Sequence, residues 1–151
     1  MMKKAIIISI LFSLMIIMAG CQSKNKITGD SVDVTMYKSP NCGCCVGHGA
    51  ELSQNGFNVN TVPTSDMDSI KEKYNIPLEM RSCHTAIMGD YFVEGHVPIE
   101  AINKLLEEKP EVDGIALPRM PSGTPGMPGP KTETWIIYSL IDGKYTEFMR
   151  I

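Results

Sequence analysis

The chain has no excess of positive charge: 14 lysines and arginines stand against 17 acidic side chains, for a net charge of −3. Phosphate binding wants a basic face, so the charge argues against nucleic acid as a partner. There is no internal repeat, and 151 residues suit one domain with its own core. Familiar metal spacings are missing as well. Without a second C-x-x-C pair or an H-x-x-x-H, the usual structural zinc sites are excluded. The longer, more even cysteine spacings of iron–sulfur ligation are also absent. No apolar run reaches the roughly 20 residues that a membrane-spanning helix prefers.

The longest apolar run, Ala5–Met18, follows the basic start Met1–Lys4 and leads into Ala19-Gly20-Cys21. A basic start, a short apolar stretch and small residues before a cut site read as a secretory signal over residues 1–20. "AGC" is similar to the lipobox of bacterial lipoproteins, which implies that Cys21 is lipidated and becomes the mature N-terminus. Met18 departs from that pattern, since leucine is usual there. Residues 21–31 are polar and aperiodic, as in a flexible tether. Residues 32–151 are then expected outside the cytoplasm, as the domain of a membrane-anchored lipoprotein of the cell envelope. Disulfides are permitted there.

Within that domain "VDVTMYKS" (32–39) alternates apolar and polar side chains and predicts a strand. Pro40 ends it, and Asn41 is placed to cap a helix from about Cys42 to Asn55, stopped by Gly56. Gly47 and Gly49 weaken this helix, so something local must hold its first turns. "FNVNTVP" (57–63) predicts a second strand. "TSDMDSIKEKYN" (64–75) predicts a short helix with a Ser65/Asp68 capping box. "HTAIMGDYFVEGHVP" (84–98) predicts two strands joined at Gly89-Asp90. "PIEAINKLLEEKP" (98–110) is the clearest helix, with Pro98 in its first turn and Ile99, Ile102, Leu105 and Leu106 on one face. Residues 117–131 form a Pro/Gly-rich loop, and 134–151 a hairpin around Asp142-Gly143. A strand, a cysteine pair at a helix start and a second strand make a thioredoxin-like arrangement. The expected class is therefore α/β, with a central mixed sheet flanked by helices and an added C-terminal hairpin.

With Cys21 set aside, four cysteines remain: Cys42, Cys44, Cys45 and Cys83. Two structural disulfides are the simplest use for them. Alternatively, Cys42 and Cys45 form a C-x-x-C pair at a helix start, where partial positive charge favours thiolate, and this suits a thiol–disulfide oxidoreductase. Cys44 weighs against that use, because a third thiol inside the pair invites scrambling by exchange. Three packed thiolates are better suited to soft metal, and Gly43 lets the turn close around an ion. Cu(I) accepts low-coordinate and bridging thiolates, so dense cysteines favour it, including in a multinuclear cluster. Cys83 lies in "RSCHTA", just before the third strand. In thioredoxin-like folds that loop faces the C-x-x-C pair, so Cys83 is placed to complete a four-sulfur set. His84 and His96 are candidates as further ligands or as groups that tune the ligands, against the blander role of structural histidines. His48, one turn from Cys44 and Cys45, covers the edge of the site. Met120 and Met127 offer thioethers for transient Cu(I), or serve as apolar filler on their loop.

The stretches "SPNCGCC", "SCHTA", "YFVEGHVP", "LLEEKP" and "GIALPRMPSGTPGM", followed by the final hairpin, resemble the CopG-like copper-resistance family. That family is extracytoplasmic and thioredoxin-like, and was long filed as a domain of unknown function. The resemblance spans nearly all of 32–151. It implies a Cu(I)–thiolate cluster on Cys42, Cys44, Cys45 and Cys83, and a role in handling excess copper, with copper redox chemistry as a further activity. The implied partners are copper ions, the membrane through the N-terminal lipid, and copper-efflux or copper-chaperone proteins. Two positions depart from the family: His48 stands where many members carry an aromatic residue, and Arg119 where "PGMP" is common.

Overall fold

The structure is a computed structural model and describes residues 31–151. The expected signal 1–20, Cys21 and all but the last residue of the tether lie outside the described residues. Among the described residues no helix is long and apolar enough to cross a membrane.

The chain runs β1 (Asp33–Lys38), α1 (Gly43–Gln54), β2 (Asn58–Pro63), α2 (Met67–Lys73), a 3-10 turn (Leu78–Met80), β3 (His84–Met88), β4 (Tyr91–Glu94), α3 (Ile99–Glu108), β5 (Gly114–Ala116), β6 (Ile136–Ile141) and β7 (Lys144–Arg150). The strands form one sheet in the order β2-β1-β3-β4-β5-β6-β7. β1 and β2 are parallel, as a crossover through α1 requires, and so are β4 and β5, which α3 links. The other neighbours are antiparallel. The β2-β1-β3-β4 half with its three helices is the expected thioredoxin-like core, and β5–β7 extend the sheet.

Three local expectations are corrected. Cys42, rather than Asn41, is the N-cap of α1; its backbone is extended and its side chain caps nothing. α2 is capped by Asp66, whose carboxylate accepts from Ser69 N–H (3.1 Å) and Ser69 Oγ–H (2.7 Å), so the Ser65/Asp68 box does not form. Pro98 sits at the N-cap of α3, one place before the first turn. β5 was not expected at all. Its three residues are all buried, too few and too uniform for alternation to reveal. The final hairpin turns at Asp142 (φ 49°) and Gly143 (φ 73°), both left-handed, as a two-residue turn with the twist of the flanking strands demands.

The sheet is covered on both faces. Leu52 of α1 and Ala101, Ile102 and Leu105 of α3 bury against Val34, Met36, Ala86, Met88, Val93, Ile115 and Ile137. On the other face Ile76 and Met80 pack with Phe92, Ala116 and Leu140. Alternation along β4 sends Phe92 to one cluster and Val93 to the other.

This topology gathers four segments at one end of the sheet. β1 leads into the cysteine turn, and Lys38 at its end pairs with His84 at the start of β3. The segment carrying Cys83 therefore arrives beside α1. β4 returns antiparallel, setting Glu94 opposite Thr85 and bringing His96 to the same end. β5 runs parallel to β4 and delivers the 117–131 loop there too. That loop holds the first turns of α1. A Cβ on Gly47 would lie 2.9 Å from Gly126 Cα, and one on Gly126 would lie 2.4 Å from His48 N and 2.6 Å from Cys44 O. Helix and loop meet backbone to backbone, which explains why a helix-weakening glycine sits at 47.

Candidate metal centre

Cys42, Cys44 and Cys45 occupy the N-cap and first turn of α1. Cys42 and Cys45 are joined by a disulfide, with Cα atoms 5.4 Å apart. Cys44 and Cys83 are free thiols, both half-buried. Cys44 Sγ lies 3.5 Å from Cys42 Sγ, and Cys45 Sγ lies 3.9 Å from the Cys83 carbonyl oxygen. All four sulfurs fall within 4.8 Å of one another. Two-electron reduction of the disulfide would leave four thiols within reach of one metal site.

A second set of donors shares two of these sulfurs. Cys45, Cys83, His84 and His96 also place their ligand atoms within 4.8 Å of one another. Cys83 Sγ is 3.0 Å from His96 Nε2 and 3.3 Å from His84 Nδ1. Both histidines are fully buried, and so is His48. His48 Nδ1 is 2.7 Å from His84 Nε2, while His48 Nε2 is 3.1 Å from the Val97 carbonyl. His96 Nδ1 donates to the Pro125 carbonyl at 2.7 Å.

Burial holds the three imidazoles and the Cys83 thiol in their uncharged forms. Burial, then the neighbouring His96, lowers His48 to about 4, against a smaller opposing effect of the Val97 carbonyl. Burial also pushes His84 well below its ordinary value, helped by His48, His96 and the ammonium of Lys71. Burial lowers His96 as well. Burial and the adjacent Cys44 push the Cys83 thiol up to about 12. The imidazoles are therefore neutral donors at pH 7. The Cys83 proton leaves only when something positive takes its place, as a metal ion does.

A buried ion pair stands behind the cysteine segment. Glu94, with no exposed surface, accepts from Lys71 Nζ, from Thr85 Oγ (2.6 Å) and from the backbone N–H of Ser82. Lys71 also donates to Thr85 Oγ at 3.1 Å. Ser82 Oγ donates to the Arg119 carbonyl at 2.6 Å, tying this segment to the proline-rich loop. Arg119 itself is exposed, with φ at 65°, a backbone conformation that favours glycine.

The expected thiols Cys42, Cys44, Cys45 and Cys83 thus come together, with His84 and His96 against Cys83. Met120 and Met127 do not join the buried group: Met120 is 47% exposed and Met127 is half-buried on the loop. His48 is not an edge group. It is buried and bonded to His84, a role invisible in one-turn helical spacing because the partner lies 36 residues away. The Lys71–Glu94 pair also went unread, since each residue alone looks like an ordinary surface charge.

A family model described as a protein of unknown function, DUF411, matches residues 80–127. Two solved structures of copper resistance protein CopG, Form 1 and Form 2, are similar to this chain, with TM-scores of 0.74 and 0.75. Each is 34% identical in sequence, and each match covers 80% of this chain and 98% of the other. No curated protein matches.

Proposed function

Since this chain belongs to the CopG copper-resistance family, we propose that it is an extracytoplasmic, lipid-anchored copper-binding protein that sequesters Cu(I) on a thiolate cluster. Cys42, Cys44, Cys45 and Cys83 supply the sulfurs in the reduced protein, with bridging thiolates letting several ions share the site. His84 and His96 add neutral nitrogen donors against Cys83. Sequestration is the core of the reading, and cycling of copper between Cu(I) and Cu(II) is its extension. The basic start, the apolar run Ala5–Met18 and Cys21 support the envelope location, with copper-efflux or copper-chaperone proteins as exchange partners.

The observation that carries this reading is the convergence of four sulfurs from two distant segments within 4.8 Å. Copper is cargo here. The test is anaerobic Cu(I) titration of the reduced protein against a competing chelator, following metal content and sulfur-to-copper charge-transfer absorption. Tight uptake is expected, with lower stoichiometry when any one of the four cysteines is replaced by serine. Unchanged stoichiometry in all four variants would sink the cluster.

A second reading has its own observation: the closed Cys42–Cys45 disulfide at a helix start. It makes the protein a thiol–disulfide oxidoreductase. Insulin reduction by the metal-free protein, retained in Cys44→Ser and Cys83→Ser, would favour it over copper storage.

A further inference from the structure

The hydrogen bonds through the three histidines run in one direction only. The Val97 carbonyl can only accept, so His48 Nε2 carries a proton. His48 Nδ1 and His84 Nε2 face each other at 2.7 Å, so one of them donates and the other is bare. In neutral His48 the single proton is already on Nε2. Nδ1 is therefore the acceptor and His84 Nε2 the donor. Neutral His84 is then bare at Nδ1, the atom 3.3 Å from Cys83 Sγ. The Pro125 carbonyl fixes His96 in the opposite tautomer, protonated at Nδ1 and bare at Nε2, which is 3.0 Å from the same sulfur. Two lone pairs thus converge on one thiol. Cys83 has one proton, so at most one of them can receive a hydrogen bond from it.

Resting on the copper reading above, we propose that His48 is a positioning residue that locks His84 in the Nε2–H tautomer, so that its Nδ1 lone pair faces Cys83 as a metal donor. With an apolar side chain at 48, His84 Nε2–H would be buried without an acceptor. The ring would then move its proton to Nδ1 and present a donor, rather than a lone pair, to the sulfur and its metal. Because His48 touches neither metal nor sulfur in this scheme, its effect passes wholly through His84. Val97, whose carbonyl anchors His48, directly follows His96 in the chain.

The test uses the full-length protein. Long-range proton–nitrogen correlation spectra of the metal-free form at neutral pH report each ring's tautomer. The wild type is expected to show His48 and His84 protonated at Nε2 and His96 at Nδ1. His48→Phe should shift His84 toward Nδ1–H and weaken Cu(I) binding to the reduced protein about 10- to 100-fold. His48→Asn, whose side-chain oxygen can accept from His84, should keep both the tautomer and the affinity. Finding His84 protonated at Nδ1 in the wild type overturns the proposal without any variant having to fold. So does a His48→Phe protein that switches tautomer yet binds copper within about 2-fold of wild type, far short of the loss expected for a supporting hydrogen-bond partner. A wild type with the stated tautomers that takes up no copper overturns the copper reading, and the donor role with it, while the lock itself is confirmed.

Discussion

Replacing Glu94 by leucine should separate two jobs that one carboxylate performs. Glu94 is fully buried and neutralises Lys71, itself buried. Removing one partner of a buried pair strands the other charge, at a cost of about 3–5 kcal/mol. For a domain of this size that is a fall in Tm of about 10–20 °C. The double variant Lys71→Met/Glu94→Leu leaves no unpaired charge and should recover at least about 2 kcal/mol of the loss. It will not recover everything, because Thr85 Oγ and Ser82 N–H also lose their acceptor, at about 1–3 kcal/mol for a group that stays buried. Ser82 immediately precedes Cys83. Its anchor is missing in the single and the double variant alike, so both should bind Cu(I) more weakly than wild type even though one is far more stable than the other. Thermal or urea unfolding supplies the first quantity and chelator competition the second. The reasoning fails if Glu94→Leu costs less than about 1 kcal/mol. It fails equally if the double variant is no more stable than the single one, or if copper affinity simply follows stability.

Acid should destabilise the metal-free protein through its buried histidines. His48, His84 and His96 have folded values below the unfolded 6.5, so between 6.5 and about 4 the unfolded chain binds more protons. Stability is thus fully present above pH 6.5 and is lost as pH falls through that window. His48 alone is worth about 3 kcal/mol at roughly 1.4 kcal/mol per pH unit. The rings facing it, His84 and His96, carry no negative charge that could offset the loss. Urea unfolding between pH 7.5 and 4 measures this, and a flat profile would contradict it. Gly126→Ala should lift the proline-rich loop from α1, because the added Cβ meets backbone atoms of His48 and Cys44 and φ is 81°. The expected loss is about 1–3 kcal/mol, with faster amide exchange across 117–131 as the local signature. With the disulfide intact, alkylation in denaturant mapped over residues 31–151 should mark Cys44 and Cys83 alone, and the Cu(I) capacity of the folded protein should rise once reductant exposes Cys42 and Cys45.

Long periodic elements were readable from residues alone. The apolar face of α3 and the alternation of β1 come from side chains that repeat at the period of their own backbone, and they lie where expected. β5 was hidden because a three-residue strand buried on both faces has no period. The N-cap of α1 was misplaced by one residue because Cys42 caps through backbone shape alone, without the side-chain bond that makes asparagine a good guess. At the site, Cys42, Cys44 and Cys45 were legible because their chemistry is scarce and their spacing dense, and Cys83 because the loop before the third strand of a thioredoxin-like fold faces the C-x-x-C pair. The second layer was not. His48, Lys71 and Glu94 act through partners 36 and 23 residues away, and no spacing rule links them until the sheet order is known.

The disulfide and copper readings draw on the same atoms, which makes them states of one site rather than rivals for the chain. Cys45 is the buried sulfur common to the disulfide, the four-sulfur set and the mixed set with His84 and His96. Closing the disulfide removes Cys42 and Cys45 as thiolates and leaves Cys44, Cys83 and two bare imidazole nitrogens, a donor set much richer in nitrogen. Opening it restores four sulfurs. Soft thiolates select Cu(I), whereas imidazole also suits Cu(II). Under the proposed copper function, the redox state of one cysteine pair therefore sets which copper oxidation state the remaining ligands favour. On that proposal, neutral, burial-protected histidines would make the oxidised state a usable ligand set, because protonated rings would repel any metal ion.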